Sequence, residues 1–229
     1  MLKLYQICGK NRDAGFSPYA WRVKLCLLHK GLDFEEEPIR FLEKEKIAHV
    51  QPQTIPVLDD GNKSIVDSFA IADYLETVYP EPSLFGGATA RAQAPILNHW
   101  VNATMVMGMF PLLALDIFNC LDVPDQIYFR KTREIRLGMS LEEAMATRGN
   151  KLAGFQKSLA PLRAGLKEAP FLSGAAPAWL DYAVFGSFMW ARTVSDFKFL
   201  AEDDPLYAWR ERMLDLFGSA ARAAPVAYG

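Results

Sequence analysis

The chain has 229 residues, enough for one large domain or two small ones, and 51% of them are hydrophobic, enough for a full core. Its net charge of −2 gives no basic footprint for nucleic acid and no polybasic patch for an anionic membrane. Three cysteines, Cys8, Cys26 and Cys120, are an odd number without metal-ligand spacing, which argues against a disulfide framework and for a reducing, cytoplasmic compartment.

The opening Met1-Leu2-Lys3-Leu4-Tyr5 is too short and too soon polar for a secretory signal. Residues 2–7 form an apolar run suited to a strand, and the polar, glycine-containing segment from Cys8 to Phe16 is a loop. From Pro18 to Lys30, Trp21, Leu25 and Leu28 recur at helical spacing, and Gly31 sits where a helix C-cap belongs. A strand near Asp33–Pro38 follows, then a short charged helix over 40–48. Ile55–Leu58 reads as a strand, Asp59-Asp60-Gly61-Asn62 as a hairpin turn, and Lys63–Val66 as the partner strand. Asp67-Ser68 opens a helix running to Tyr79. The order over about 80 residues is βαβ, then ββα.

Pro80-Glu81-Pro82-Ser83 stops that helix, and only helical periodicity follows. The expected division is residues 1–80, a linker at 81–88, and an all-helical domain over 89–229. Residues 101–121 approach the roughly 20 residues that span a bilayer. However, Asn102, Asp116 and Asn119 would be costly in lipid and Pro111 breaks the middle, so the segment reads as a buried helix of a soluble protein. Ser140 with Glu143 forms a capping box for a long helix to about Lys167. A strongly apolar helix covers roughly 179–195; Ala178 before it offers no capping oxygen, and Asp181 stands at N3, where it can reach back. Asp203-Asp204-Pro205 starts the last helix, ending near Gly218.

Three segments carry candidate chemistry. Ser17-Pro18 is a good helix start, and it also places a hydroxyl where the helix dipole and free N–H groups favour an anion. A serine supplies no sulfur, but it can donate to one belonging to a ligand. Pro56, at the head of a buried strand, reads either as an edge-strand proline or as a cis-proline that leaves the Ile55 backbone free to pair with an extended peptide ligand. Asp67-Ser68 is either a plain cap or a second helix N-terminus that holds a carboxylate. His29, His49 and His99 are scattered, and no metal role is assigned to them.

The order and spacing of these segments are more specific than any one of them. Ser-Pro-Tyr-Ala-Trp-Arg-Val-Lys, Thr-Ile-Pro-Val-Leu and Val-Asp-Ser-Phe-Ala-Ile-Ala-Asp-Tyr-Leu resemble the glutathione transferase superfamily across its N-terminal domain. Trp-Arg-Val-Lys is similar to the zeta and omega classes. The bacterial beta-etherase branch and its fungal relatives are more similar still, through Ser-Pro-Tyr-x-Trp-Arg, Asp-Asp-Gly and segments such as 128–134 and 202–206.

The resemblance implies a thioredoxin-like N-terminal domain with an all-α C-terminal domain, and glutathione as co-substrate without a metal. It puts Ser17 on the catalytic position, Ile55 and Pro56 on the cysteinyl-pairing residue and the cis-proline, and Asp67 and Ser68 on the γ-glutamyl grip. Gln53 stands nearest the glycyl carboxylate. Thioredoxins and glutaredoxins carry Cys-x-x-Cys where this chain has Ser17-Pro18-Tyr19-Ala20, which excludes dithiol redox chemistry there. Tyr19, Met105, Met109, Phe110 and Tyr128 are the candidates for a hydrophobic second-substrate wall, with ordinary core or dimer interface as the alternative. The implied protein is a cytoplasmic, homodimeric detoxification enzyme acting on an aromatic electrophile, aryl-ether cleavage included. The rival readings are a non-catalytic binding module and a glutathione-dependent isomerase or dehalogenase.

Overall fold

A computed structural model describes residues 1–228. Strands β1 (Leu2–Ile7), β2 (Phe34–Ile39), β3 (Val57–Asp60) and β4 (Lys63–Val66) form one sheet in the order β2-β1-β3-β4. β1 and β2 are parallel, so a crossover must join them, and α1 (Pro18–His29) supplies it. β3 runs antiparallel to β1 and to β4. Alternation along β1 sends Leu2 and Leu4 into the main core, while Tyr5 packs on a smaller cluster of Ile39, Ile47, Val50 and Val57. A short 3-10 helix, Lys44–Ile47, covers that second cluster.

The strands differ slightly from the sequence expectation. Ile55 and Pro56 lie outside the ladder, and Asp59 and Asp60 belong to β3. The turn is therefore Gly61-Asn62 alone, with Gly61 at φ 59°. After β4, α2 (Ser68–Val78) closes the unit, and a linker leads to α3 (Ala88–Val101).

Every later element is helical. α3 passes through a π-helical turn, Asn102–Val106, into α4 (Met107–Cys120). The continuous stretch Ala88–Cys120 is long and apolar enough to cross a membrane, yet half of its most apolar window is buried in the fold. Asp116 there is ion-paired with Arg148.

α5 (Val123–Leu137) follows, and then the stretch expected as one long helix. It starts at the expected capping box: the Glu143 N–H donates to Ser140 Oγ at 3.1 Å and the Ser140 N–H to Glu143 Oε2 at 2.8 Å. It breaks twice, however, into α6 (Leu141–Ala146), α7 (Arg148–Ser158) and α8 (Ala160–Glu168). Thr147 turns its hydroxyl back onto the Glu143 and Ala144 carbonyls at the first break. Pro161 has no N–H to continue the ladder at the second and sits in the first turn of α8.

α9 (Trp179–Val194) is buried along nearly its whole length and is the spine of the helical part. Fully buried Asp181 fixes its start by accepting from the Leu172 N–H at 2.8 Å, the Ser173 N–H at 3.0 Å and Trp209 Nε1 at 2.8 Å. It also accepts from the Ala178 N–H at 3.3 Å, the N3 role read from the sequence. α10 (Pro205–Ala223) loses helical geometry at Leu216–Ser219, close to the expected end.

α9 packs directly on α1. A Cβ built on Gly186 would lie 2.4 Å from the Pro18 carbonyl oxygen, so only glycine permits this approach. Beside it, fully buried Arg22 donates Nε to the Ala183 carbonyl at 3.0 Å and Nη1 to Asn102 Oδ1 at 2.7 Å and Asn98 Oδ1 at 3.2 Å. Burial pushes its pKa down to about 10. Phe69, Phe85 and Trp179 meet edge-on or tilted, with ring centroids 5.5–6.2 Å apart, and join α2, the linker and α9.

Two substitutions test this seam by thermal or denaturant unfolding. Ala178→Ser supplies the missing cap acceptor and should stabilise by about 0.5–2 kcal/mol; a lower melting temperature would place Ala178 in tight packing instead. Gly186→Ala should destabilise. Helix propensity gains only about 1 kcal/mol, while overpacking against a backbone carbonyl costs about 1–3 kcal/mol or more. Unchanged stability would mean that the α1–α9 contact is slack.

Candidate functional site

The N-terminus of α1 opens on a cavity of about 350 Å³ between the sheet unit and α4, α5 and α9. Ser17 lines it. As N-cap of α1, its Oγ accepts from the Ala20 N–H at 3.2 Å. Its own proton has no acceptor among the described residues, so a nearly buried O–H donor stands unspent at a helix N-terminus.

Ile55 lines the same cavity, and the Ile55–Pro56 peptide is cis. The Ile55 N–H and carbonyl make no backbone hydrogen bond among the described residues, which leaves both for an extended ligand. Thr54 borders this cavity and also a wider groove that contains Asp67. Asp67 is held at φ 82° and ψ 132°, a conformation that costs a non-glycine residue roughly 1–3 kcal/mol. One carboxylate oxygen, Oδ1, accepts from the Phe69 N–H at 2.9 Å and the Ala70 N–H at 3.0 Å. The other, on an exposed side chain, is free for a cationic group. Ser68 is 1% exposed, and its hydroxyl makes no hydrogen bond among the described residues. It lines neither space directly, and neither does Gln53.

Three of the five residues read as a hydrophobic wall, Tyr19, Phe110 and Tyr128, line the cavity. Arg22 lies 4.8 Å from the Tyr19 ring centroid, and Phe110 stacks on Trp190 at 6.5 Å. Met105 and Met109 do not line it; both are fully buried in the main core. Periodicity places them on one face, but the π-helical turn at 102–106 resets which face that is.

Sequence reasoning missed much of the wall: Phe41, Lys44, Phe129, Arg133, Arg136 and Trp190. Phe129, Arg133 and Arg136 share a face of α5 at helical spacing, a signal present in the sequence but without a partner surface to give it meaning. Lys44 donates to the Gln53 carbonyl at 3.0 Å, so the residue nearest the expected glycyl carboxylate position brings a cation with it.

The chain's own thiols are poor nucleophiles. Burial pushes Cys8 and Cys120 up to about 11 and Cys26 higher still, so none is a thiolate at neutral pH. A sulfur reacting at Ser17 must come from a ligand. The unspent Ser17 hydroxyl, the open Ile55 backbone and the groove at Asp67 suit an extended thiol peptide with charged ends.

The glutathione S-transferase N-terminal domain model matches residues 13–83, and the glutathione S-transferase C-terminal domain model matches residues 92–206. The chain belongs to the glutathione S-transferase family. It is similar to glutathione S-transferase Z2 of Arabidopsis thaliana, 32% identical over 111 residues, 46% of this chain and 48% of that one. It is also similar to maleylacetoacetate isomerase of Mus musculus, 26% identical over 153 residues, 63% of this chain and 69% of that one. The matched stretch thus spans about half the length of the plant relative. A glutathione S-transferase of Ceriporiopsis subvermispora, solved in complex with glutathione, has the same fold: TM-score 0.79, 24% identity, 98% of each chain covered.

Calorimetry with glutathione on Ser68→Ala tests the groove. Loss of a hydrogen bond to a charged carboxylate should weaken binding by about 1.5–3 kcal/mol. Undiminished affinity would remove Ser68 from the site.

Proposed function

We propose that this protein is a cytoplasmic, homodimeric glutathione transferase acting on a hydrophobic, aromatic electrophile. The reading rests above all on the unspent Ser17 hydroxyl at the α1 N-terminus, on the wall of the apolar cavity. Residues 1–80 form the glutathione-binding domain, 81–88 the linker and 89–229 the domain that completes the second site.

Asp67 takes the ammonium and Ser68 the carboxylate of the γ-glutamyl end, which fits the free Asp67 oxygen and the orphan Ser68 hydroxyl. Ile55, before Pro56, pairs through its backbone with the cysteinyl unit. Lys44, together with Gln53, faces the glycyl carboxylate. Glutathione supplies the sulfur nucleophile. Ser17 donates its hydroxyl proton as a hydrogen bond to that sulfur, and the α1 dipole adds to the preference for the thiolate. The thiol proton passes to solvent. In the reaction a C–S bond forms at the electrophilic carbon, and the leaving group, an aryl oxide in ether cleavage, departs with its bonding pair.

Tyr19, Phe110 and Tyr128 form part of the second-substrate wall. Exposed Ile96 and Leu97 on α3 support self-association, and three buried free cysteines support a reducing compartment. The similarity to a protein named maleylacetoacetate isomerase favours a second reading, glutathione-dependent isomerisation, in which the thiolate adds reversibly and leaves again. The site chemistry at Ser17 is common to both.

Ser17→Ala decides whether the hydroxyl is catalytic. As a mere cap its loss should cost about 1 kcal/mol of stability and leave turnover alone. As thiolate donor its loss should leave glutathione bound but shift the bound thiol's titration to higher pH, since the anionic form loses its donor. Conjugation should then fall by roughly 10²–10³, the scale for one oxyanion donor. Thiolate absorbance against pH and turnover of chlorodinitrobenzene provide the readouts. Full activity in Ser17→Ala would transfer the role to another group.

A further inference from the structure

The cavity wall contributed by α5 is cationic, which a purely hydrophobic substrate does not require. Arg133 and Arg136 both line it. Arg130, one turn away on the same helix, is held by Glu134 and Glu142 at 2.8 Å. Arg133 and Arg136, by contrast, have no carboxylate within 4.0 Å among the described residues.

Aromatic rings hold them instead. The Arg133 guanidinium lies 5.2 Å from the Phe129 ring centroid and 5.5 Å from that of Phe41. That of Arg136 lies 5.1 Å from Phe110. Ring faces fix the guanidinium planes but leave most of their N–H edges unused. Arg133 donates one to Thr132 Oγ1 at 2.8 Å, and the neighbour of Arg136 is the Met107 thioether. Asp125, the nearby opposite charge, turns its oxygens to the Phe41 N–H at 2.8 Å and the Leu42 N–H at 3.2 Å and forms no ion pair with either guanidinium. Burial first, and then the Arg133 charge, lower the pKa of Lys44 against the opposing pull of Asp125, so a third cation stands beside the two guanidiniums. Guanidiniums without counter-charge beside an apolar cavity favour a ligand that brings an anion.

We propose that the second substrate is an aromatic electrophile bearing a carboxylate, its ring against Phe41, Phe110, Phe129 and Trp190 and its anion held by Arg133 and Arg136. This rests on the transferase reading of the cavity.

A matched pair of probes separates the two ideas: chloronitrobenzoate and its methyl ester, which carry the same aryl chloride and differ in charge. In each, the glutathione sulfur displaces chloride, which leaves with its bonding pair. Catalysed kcat/KM is divided by the uncatalysed rate for each compound. The wild type should prefer the acid by about tenfold or more, the scale of a charge-assisted hydrogen bond. The double variant Arg133→Met with Arg136→Gln should lose that preference, and added salt should shrink it in the wild type. Arg136→Gln alone, on an exposed side chain, gives the partial loss if the double variant does not fold. Conjugation of both compounds without the preference, or a preference that survives the double variant, overturns this proposal and leaves the transferase reading standing. So does a rise in the glutathione Kd with the preference intact, for the arginines would then serve the glycyl carboxylate. Conjugation of neither compound by a wild type that binds glutathione overturns both.

Discussion

The contact on which the rest depends is the approach of α9 to the first turn of α1 at Gly186. With the Pro18 carbonyl 2.4 Å from where a Cβ would stand, the two helices meet backbone to backbone. Arg22, one turn along, fills the remaining space and carries its charge into the core, supported by neutral oxygens of Ala183, Asn98 and Asn102. An unpaired buried cation is costly, and here three hydrogen bonds offset part of the cost, with Nη2 left without a partner among the described residues. In return α1, the π-helical turn and α9 have one mutual arrangement. Ser17 inherits its position from it, because the N-terminus of α1 cannot move without sliding Pro18 past Gly186.

The same seam explains the stringency at the start of α9. Asp181 collects Leu172, Ser173, Ala178 and Trp209, and so ties the preceding loop and α10 to the spine. An aspartate can carry this load without a capping serine because its two oxygens serve four donors. That is why Ala178 leaves the helix intact while depriving it of one acceptor.

Much of the sheet unit was legible in the sequence because its determinants are local. Ser17-Pro18 sets a helix start through one hydroxyl and one fixed φ, and Gly61 sets the hairpin, whereas the strand read from Ile55 begins only at Val57, after Pro56. Where a distant contact decides, local reading stopped short. Met105 and Met109 share a face by periodicity, but the π turn determines that this face meets the core. The long helix from Ser140 was broken by a back-bonding threonine and a proline whose effects periodicity does not weigh. Arg133 and Arg136 look like an ordinary solvated face of a charged helix until α5 is docked beside Phe41.

That docking is itself specified by one side chain. Asp125, 1% exposed in the first turn of α5, reaches across to the Phe41 and Leu42 amides in the loop after β2. Burial raises its pKa, and the two amide hydrogen bonds offset that desolvation cost only in part. The loop bearing Phe41 and Lys44 and the helix bearing Phe129, Arg133 and Arg136 are therefore one wall, not two that happen to adjoin. Ser17 stands on the opposite side, fixed by Gly186. The cavity between is set by two unrelated close contacts, one between backbones and one between a carboxylate and two amides. A change in the α5 wall need not disturb the serine, and a change at the serine need not disturb the wall. Such a division leaves the helix N-terminus at Ser17 fixed while the charge of the facing wall is set largely by Arg133 and Arg136 on α5.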